Sequence, residues 1–186
     1  MMRYMLTIAA LAFGASANAQ EVDRAAQVLE LSATAGSACV ISTPRARAVT
    51  NANFQATGDG NATVGLTRLV DPNTALPRGA SFELEIPATC NASHRVTAAS
   101  GKGGLGRVGA AGPQAQGFAD LLPYTLRLDW AGASQERSSN AGMLVLAVAN
   151  GATGNLALLV NTPDGGTPLI AGDYDDTIVI QLQPTD

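Results

Sequence analysis

Cys39 and Cys90 are the only two cysteines of this chain, and their chemistry is the most narrowly restricted in the sequence. Two thiols can form a disulfide, act as a redox pair or share a metal ion. A zinc site needs four ligands, or three and a water molecule, and only His94 lies near either cysteine. If the chain is exported, an even pair instead predicts one disulfide. Such a bond would close a loop of about fifty residues and stabilise the fold by about 4 kcal/mol.

Three other groups of residues could do chemistry, and each has a simpler interpretation. Residues 101–106 match a G-x-G-x-x-G phosphate loop, but the residues after them cannot begin a helix, so a loop is predicted. The side chains of Asp173, Asp175 and Asp176 could suggest calcium, but their spacing matches no calcium loop and favours a solvated turn. His94 has no nucleophile or orienting carboxylate in its local sequence and is predicted to be a surface turn residue. We therefore predict no catalytic residue, cofactor or metal, and a protein that is not an enzyme.

The first nineteen residues have the composition of a targeting segment. Arg3 supplies the positive start, a short apolar stretch follows, and Ala17-Asn18-Ala19 fits the small-x-small cleavage rule. The apolar stretch is too short for a stable membrane anchor. We expect residues 1–19 to be a signal peptide and the mature chain to begin near Gln20. The protein is then exported, with no insertion into the membrane.

Length and charge restrict the class of protein further. The chain has 186 residues, enough for one domain with a hydrophobic core of its own. Its formal net charge of −4 argues against nucleic acids and anionic membrane surfaces as partners.

Alternation of apolar and polar residues with a period of two predicts most of the elements that must position these residues. In residues 81–90, Phe82, Leu84 and Ile86 share one face, and the same parity directs Ala88 and Cys90 inward. Further strands are predicted at 62–70, 95–99, 121–130, 143–148 and 156–160, a last strand-like segment at 171–183, and loops at 44–60 and 100–117. Because no amphipathic helix is recognised, the predicted fold class is all-β, an antiparallel β-sandwich of immunoglobulin-like type.

Both ends of the mature chain also alternate. Leu29, Leu31 and Ala33 share one parity, which is typical of a half-buried strand, and Ile178, Ile180 and Leu182 do the same in the last strand. The residues after Leu182 are too few to fold back as a partner strand. The last strand must therefore pair with an earlier strand or with another molecule, and we favour another molecule.

The order of these segments resembles a known family. An alternating segment leads to Cys39-Val-Ile, and Phe82-Glu-Leu-Glu-Ile-Pro-Ala-Thr-Cys90 runs into the second cysteine. A strand centred on Tyr124 follows, and Gly172-Asp-Tyr-Asp-Asp-Thr-Ile-Val-Ile180 lies at the end. Across essentially the whole mature chain this pattern is similar to the spore coat protein U domain family, which includes subunits of archaic chaperone–usher pili.

The resemblance implies a domain and a mode of assembly. Residues 36–186 would form an immunoglobulin-like sandwich that lacks its final strand, preceded by an N-terminal extension at 20–35. The extension of one subunit would complete the sandwich of the next by strand addition, with Leu29, Leu31 and Ala33 as the inserted side chains. The acceptor groove would involve these residues: Val40, Tyr174, Ile178, Ile180 and Leu182.

The resemblance also implies partners and a location. A periplasmic chaperone would fill the groove during transit, an outer-membrane usher would exchange it for the next subunit, and the polymer would be a pilus or fimbria at the cell surface. Two alternatives stay open: a carbohydrate- or surface-binding adhesin module, which would need exposed aromatic residues, and a spore or cyst coat protein. A secreted enzyme is the weakest alternative, because no nucleophile, carboxylate pair or metal cluster is recognised.

Overall fold

In the computed structural model, residues 27–110 and 116–185 are described, so the predicted signal peptide and residues 20–26 lie outside the described residues. The chain divides into two units, residues 1–34 and 35–186. In the first unit, the described residues 27–34 form no strand, and the side chains of Leu29 and Leu31 are 88% and 95% exposed. The second unit contains every strand described below.

The described part of the chain is all-β, with antiparallel sheets and no α-helix. One short 3-10 helix spans Ser139–Ala141. The strands are, in chain order, β1 Cys39–Ile41, β2 Arg45–Thr50, β3 Ala52–Gly58, β4 Asn61–Leu66, β5 Ser81–Cys90, β6 His94–Ser100, β7 Leu105–Arg107, β8 Leu121–Leu122, β9 Thr125–Trp130, β10 Ala133–Ser138, β11 Leu144–Val148, β12 Ala152–Asn161, β13 Tyr174–Asp175 and β14 Ile178–Pro184.

Two of the sheets enclose one hydrophobic core. The six-stranded sheet has the order β1-β5-β12-β9-β10, with β2 also paired to β5, and the three-stranded sheet has the order β11-β6-β14. The alternating residues of β5 and β9 are buried on one side, as predicted, and those of β12 are buried on the same side although their sequence is more continuously apolar; all three strands pack against β6 and β11. The buried core residues are Leu84, Ile86, Ala88, Val96, Ala98, Tyr124, Leu126, Leu128, Trp130, Leu144, Leu146, Leu156, Leu158 and Val160.

Two smaller sheets lie outside this pair. The strands β13, β7 and β8 form one, and β3 and β4 form the other, a two-stranded hairpin. The hairpin turns at Asp59 and Gly60, which both have positive φ, as the tight turns that match strand twist require. Its inward residues Phe54, Ala62 and Val64 are half-buried, so the hairpin has one apolar face.

The prediction of a loop over residues 44–60 is wrong. Strand β2 occupies Arg45–Thr50, and β3 occupies Ala52–Gly58. All residues of β2 are exposed, so its side chains carry no alternation, and pairing to β5 is made by the backbone. An ion pair also joins the two strands, since the Arg47 guanidinium lies 2.9 Å from the Glu83 carboxylate on β5. The predicted loop at 100–117 likewise contains a short strand, β7.

Candidate functional site

A cavity of about 560 Å³ opens between the two large sheets and the β3–β4 hairpin. Its apolar walls come from β5, β12, β14, β4 and the end of β1. The aliphatic and aromatic residues that line it include Ile41, Ala62, Val64, Leu66, Phe82, Leu84, Ile86, Leu158, Val160, Ile178 and Ile180. An apolar cavity of about 150 Å³ already holds a benzene molecule, so this space has room for several aliphatic side chains. We call it the groove.

Strand β14 borders the groove with an unpaired edge. Within the described chain its pairing partner is β6 alone, in the register Ile180↔Ala98. The Gly101 N–H donates to the Thr177 carbonyl at 2.8 Å, and the Thr185 N–H donates to the Ser93 carbonyl at 2.8 Å. In an antiparallel pair such bonds fall on every second residue, so the odd-numbered residues of β14 bond to β6. The N–H and C=O groups of Ile178, Ile180 and Leu182 therefore point to the other edge.

The same three residues direct their side chains inward. They are half-buried against the core, whereas Val179, Gln181 and Gln183 are exposed. Pro184 lacks an N–H and would be the next residue on the free edge, so it limits the pairing length at this end. Strand β14 thus offers three residues with free backbone groups beside an apolar space.

Near the start of β14, the groove contains a polar cluster centred on the carboxylate of Asp176. It accepts hydrogen bonds from the Ser100 hydroxyl, from the Tyr124 hydroxyl at 2.8 Å and from the Lys102 N–H at 2.9 Å. Burial alone would raise the pKa of Asp176, but the hydrogen bonds from Ser100 and Tyr124 hold this pKa below its usual range. Burial and the neighbouring Asp176 carboxylate raise the pKa of Tyr124, so its hydroxyl stays a donor.

This cluster corrects the prediction of a solvated turn for Asp176, whereas Asp173 and Asp175 are exposed as predicted. Asp175 is exposed and forms an ion pair with Lys102, but Asp176 joins β6, β14 and the start of β9. A single acidic residue with several donors around it is a structural centre, and the described residues contain no group of acidic, histidine or cysteine side chains that could hold a metal ion.

Replacing Asp176 by asparagine is expected to destabilise the fold by about 1–2 kcal/mol, because an amide directs N–H groups toward hydroxyl donors; partial exposure keeps the loss at the low end. Since the folded-state pKa is depressed, this stabilisation is present above the ordinary value of 3.8 and is lost as the pH falls below it. Urea unfolding should therefore show a constant gap between the proteins from pH 7 to pH 5, narrowing below about pH 4. The control Asp173→Asn should change stability by less than about 0.5 kcal/mol.

The disulfide between Cys39 and Cys90 is present, as predicted. It joins β1 to the end of β5, where the two cysteines face each other in the strand register. Counted from Cys39, alternation places Ile41 on the inward face and Val40 on the outward one. Accordingly Ile41 lines the groove, whereas Val40 is 62% exposed and lies on the opposite side of the sheet, beside Pro87 and Thr89.

The structure also places Tyr174 and Leu182 apart from the groove lining. The Tyr174 hydroxyl donates to the carbonyl of Ile170 at 2.8 Å and lies 3.2 Å from that of Ala119. Its strand β13 pairs with β7, so Tyr174 connects this small sheet to the loops that contain Ala119 and Ile170. Leu182 lies further along β14 and packs against the core. Of the residues expected in the groove, Ile178 and Ile180 are therefore the two that line it.

His94 is a buried residue, which corrects the prediction of a surface turn. It is 1% exposed and lies at the start of β6. The indole N–H of Trp130 donates to His94 Nε2 at 2.7 Å, so the ring proton sits on Nδ1 and is donated to the Ala92 carbonyl at 2.8 Å. The local sequence carries no signal for this contact, because Trp130 is 36 residues away.

The Trp130–His94 pair is expected to be coupled energetically. The change Trp130→Phe should cost about 2–3 kcal/mol, because it leaves a cavity and a buried ring nitrogen without its donor. The change His94→Leu should cost a similar amount by orphaning the indole N–H. In a double-mutant cycle measured by urea unfolding, the double variant should cost about 1 kcal/mol less than the sum of the single variants. Simple additivity would contradict the hydrogen bond as the source.

Comparisons with other proteins do not add to this description. No protein-family model matches the chain, and neither a curated protein nor a solved structure matches it. In the part of the chain that the structure describes, no helix has the length and apolar character needed to cross a membrane. The functional argument therefore depends on the groove itself.

Proposed function

We propose that this protein is a structural subunit of a surface fibre that assembles by donor-strand exchange. The extension at residues 20–35 of one copy would fill the groove of the next. In this proposal the domain is an immunoglobulin-like sandwich whose final strand is supplied by another chain, as in the spore coat protein U domain family and the archaic chaperone–usher pili it resembles. The protein then has no catalytic role.

The observation that carries this proposal is the free edge of β14 above an open apolar space. An unpaired strand edge beside a row of half-buried side chains is a ready template for another chain. Strand addition uses both parts, since backbone groups supply affinity and alternate side chains enter pockets. A folded subunit that kept such an edge without a partner would be at risk of aggregation, so a dedicated occupant is expected.

The segment before Cys39 has the properties of that occupant. Residues 27–34 form no strand, and Leu29 and Leu31 are almost fully exposed. Burying one leucine side chain contributes about 1.5–3 kcal/mol, and Leu29, Leu31 and Ala33 would enter the groove from one face of an added strand. On β14, Ile178 and Ile180 line the groove that would receive them.

The proposed route requires partners that protect the edge before assembly. A periplasmic chaperone would lend a strand to the groove, and an outer-membrane usher would guide its replacement by the next subunit at the cell surface. The disulfide accords with an exported protein, because such bonds persist in oxidising compartments.

The proposal is tested by isolating the protein from the cell surface and examining its assembly state. Fibres whose denaturation releases a single chain, and whose cross-linked ladder increases in steps of one chain, are the expected result. Recovery of the protein only as a soluble monomer or as a component of a spore or cyst coat would contradict it.

A further inference from the structure

The β3–β4 hairpin lines the groove together with β14. It forms a two-stranded sheet of its own, and β4 alternates between exposed and half-buried residues. The half-buried residues Ala62, Val64 and Leu66 line the same cavity as Ile178 and Ile180. Both β4 and β14 therefore border the groove.

Strand β4 also has an unpaired edge. The Thr67 N–H donates to the Asn51 carbonyl at 3.0 Å, in line with the register Ala52↔Leu66 and Phe54↔Val64. Because antiparallel bonds fall on every second residue, the backbone groups of Ala62, Val64 and Leu66 point away from β3. Within the described residues, β4 has no strand partner other than β3.

From these two edges we propose that the strand that fills the groove is held on both sides, by β14 and by β4. The bound strand would join the β11-β6-β14 sheet and the hairpin into one sheet of the order β11-β6-β14-donor-β4-β3. This inference rests on the proposed function, and the occupant is residues 27–34 of a second copy. That segment is exposed, without a strand partner and apolar at alternate positions.

Strand geometry sets a condition that the two edges satisfy. Along any strand, residues that point backbone groups to one side share one side-chain face, and their neighbours share the other. The edge residues of β14 and of β4 both face the groove with their side chains. A strand between them can therefore bond to both only if it is antiparallel to one and parallel to the other, because parallel bonds join residues of opposite face. Strands β14 and β4 must then run in opposite directions.

The connections of the two strands meet this condition. Strand β4 ends near Asn51, whose side chain donates to the Gly79 carbonyl at 3.2 Å, just before the start of β5. Strand β14 begins opposite Ser100, at the end of β6. The start of β5 and the end of β6 lie at the same end of the molecule, because these strands are joined by a short turn at the other end. Strand β4 therefore ends where β14 begins.

The inference predicts which amides become protected when the groove is filled. We would add a synthetic peptide of residues 27–35 to the chain that lacks Gln20–Ala33, which retains the core, the disulfide and the described strands but carries no donor of its own, and follow hydrogen exchange of single amides by NMR. Exchange should slow at least tenfold at Ile178, Ile180 and Leu182 of β14 and at Val64 and Leu66 of β4. A peptide with aspartate in place of Leu31 is the control and should protect neither strand.

The possible outcomes separate the two hypotheses. Protection of both strands supports the inference. Protection of β14 alone would overturn the role of β4 and leave the proposed function standing. Protection of neither strand would overturn both.

A pair of variants tests the hydrogen bond to β4 independently. Val64→Pro removes an N–H that faces the groove and that takes no part in pairing with β3. It should weaken peptide binding about tenfold relative to Val64→Ala, which removes the side chain but keeps the N–H. Protection of the Thr63 and Gly65 amides in both variants would show that the hairpin is intact. Equal peptide affinity of two intact variants would overturn the inference.

Discussion

A mature chain that lacks Gln20–Ala33 is expected to fold normally and to form no fibres. The core residues, the disulfide and the fourteen strands found in residues 27–110 and 116–185 lie after this segment, so their packing does not need it. The deleted residues contain the complete row of side chains that would fill the groove of the next copy. Electron microscopy and size-exclusion chromatography should find only monomers, alone or bound to the chaperone, under conditions in which the intact chain polymerises.

Two neighbouring substitutions give a sharper form of the same experiment. Leu31→Asp would place a charge in the apolar groove and should prevent assembly, since an unpaired buried carboxylate costs several kcal/mol. Ser32→Asp changes the adjacent residue, whose side chain would face solvent in the added strand, and should leave fibres unaffected. Fibres from the truncated chain, or equal assembly of the two substituted chains, would refute donor-strand exchange through this segment.

The all-β fold could be predicted because its central strands are buried on one face only. In β5 and β9 every second residue is apolar and enters the core, so local sequence carries the full signal. The disulfide was predictable for a similar reason, since the alternation of β5 directs Cys90 inward. Prediction succeeds where one strand contacts water on one side and the core on the other.

The edge elements could not be predicted in this way. The strands β2 and β10 are almost wholly exposed, and backbone hydrogen bonds to a neighbour hold them in place. Backbone pairing leaves no pattern in side-chain polarity. The sequence Ala131-Gly132 does turn β9 into β10 with two positive φ angles, and this dipeptide was the available signal.

The site was predictable on one side only. Alternation identifies Ile178 and Ile180, and the strand predicted at 62–70 contains most of β4, but the place of β4 beside the groove depends on its pairing with β3, which lies in a segment predicted to be a loop. Side chains alternate between the two faces of β1, and Cys39 faces inward. Counting from Cys39 therefore assigns Ile41, and not Val40, to the groove. The roles of His94 and Asp176 depend on partners distant in sequence, and no local pattern could reveal them.

Replacing Ile180 by aspartate is expected to abolish binding of the donor segment. Ile180 is the middle of the three free-edge residues, and its side chain lines the groove. A carboxylate there would face the apolar surface of the inserted leucines and lose their contacts, which costs about 3 kcal/mol or more. Affinity for a peptide of residues 27–35 should fall at least about a hundredfold by calorimetry. Chaperone binding and fibre assembly should be lost together, because both use the same edge.

The adjacent residue supplies a control that distinguishes the loss of groove contacts from a general loss of structure in β14. Gln181→Asp introduces the same side chain one position away, on the exposed face, where it meets solvent before and after strand addition. The backbone of Gln181 bonds to β6, so neither its side chain nor its N–H should contact a donor. Urea unfolding of each variant measures any loss of stability of the free chain. If a folded Ile180→Asp chain binds the peptide as tightly as Gln181→Asp does, the inward face of β14 is not the surface that receives the strand.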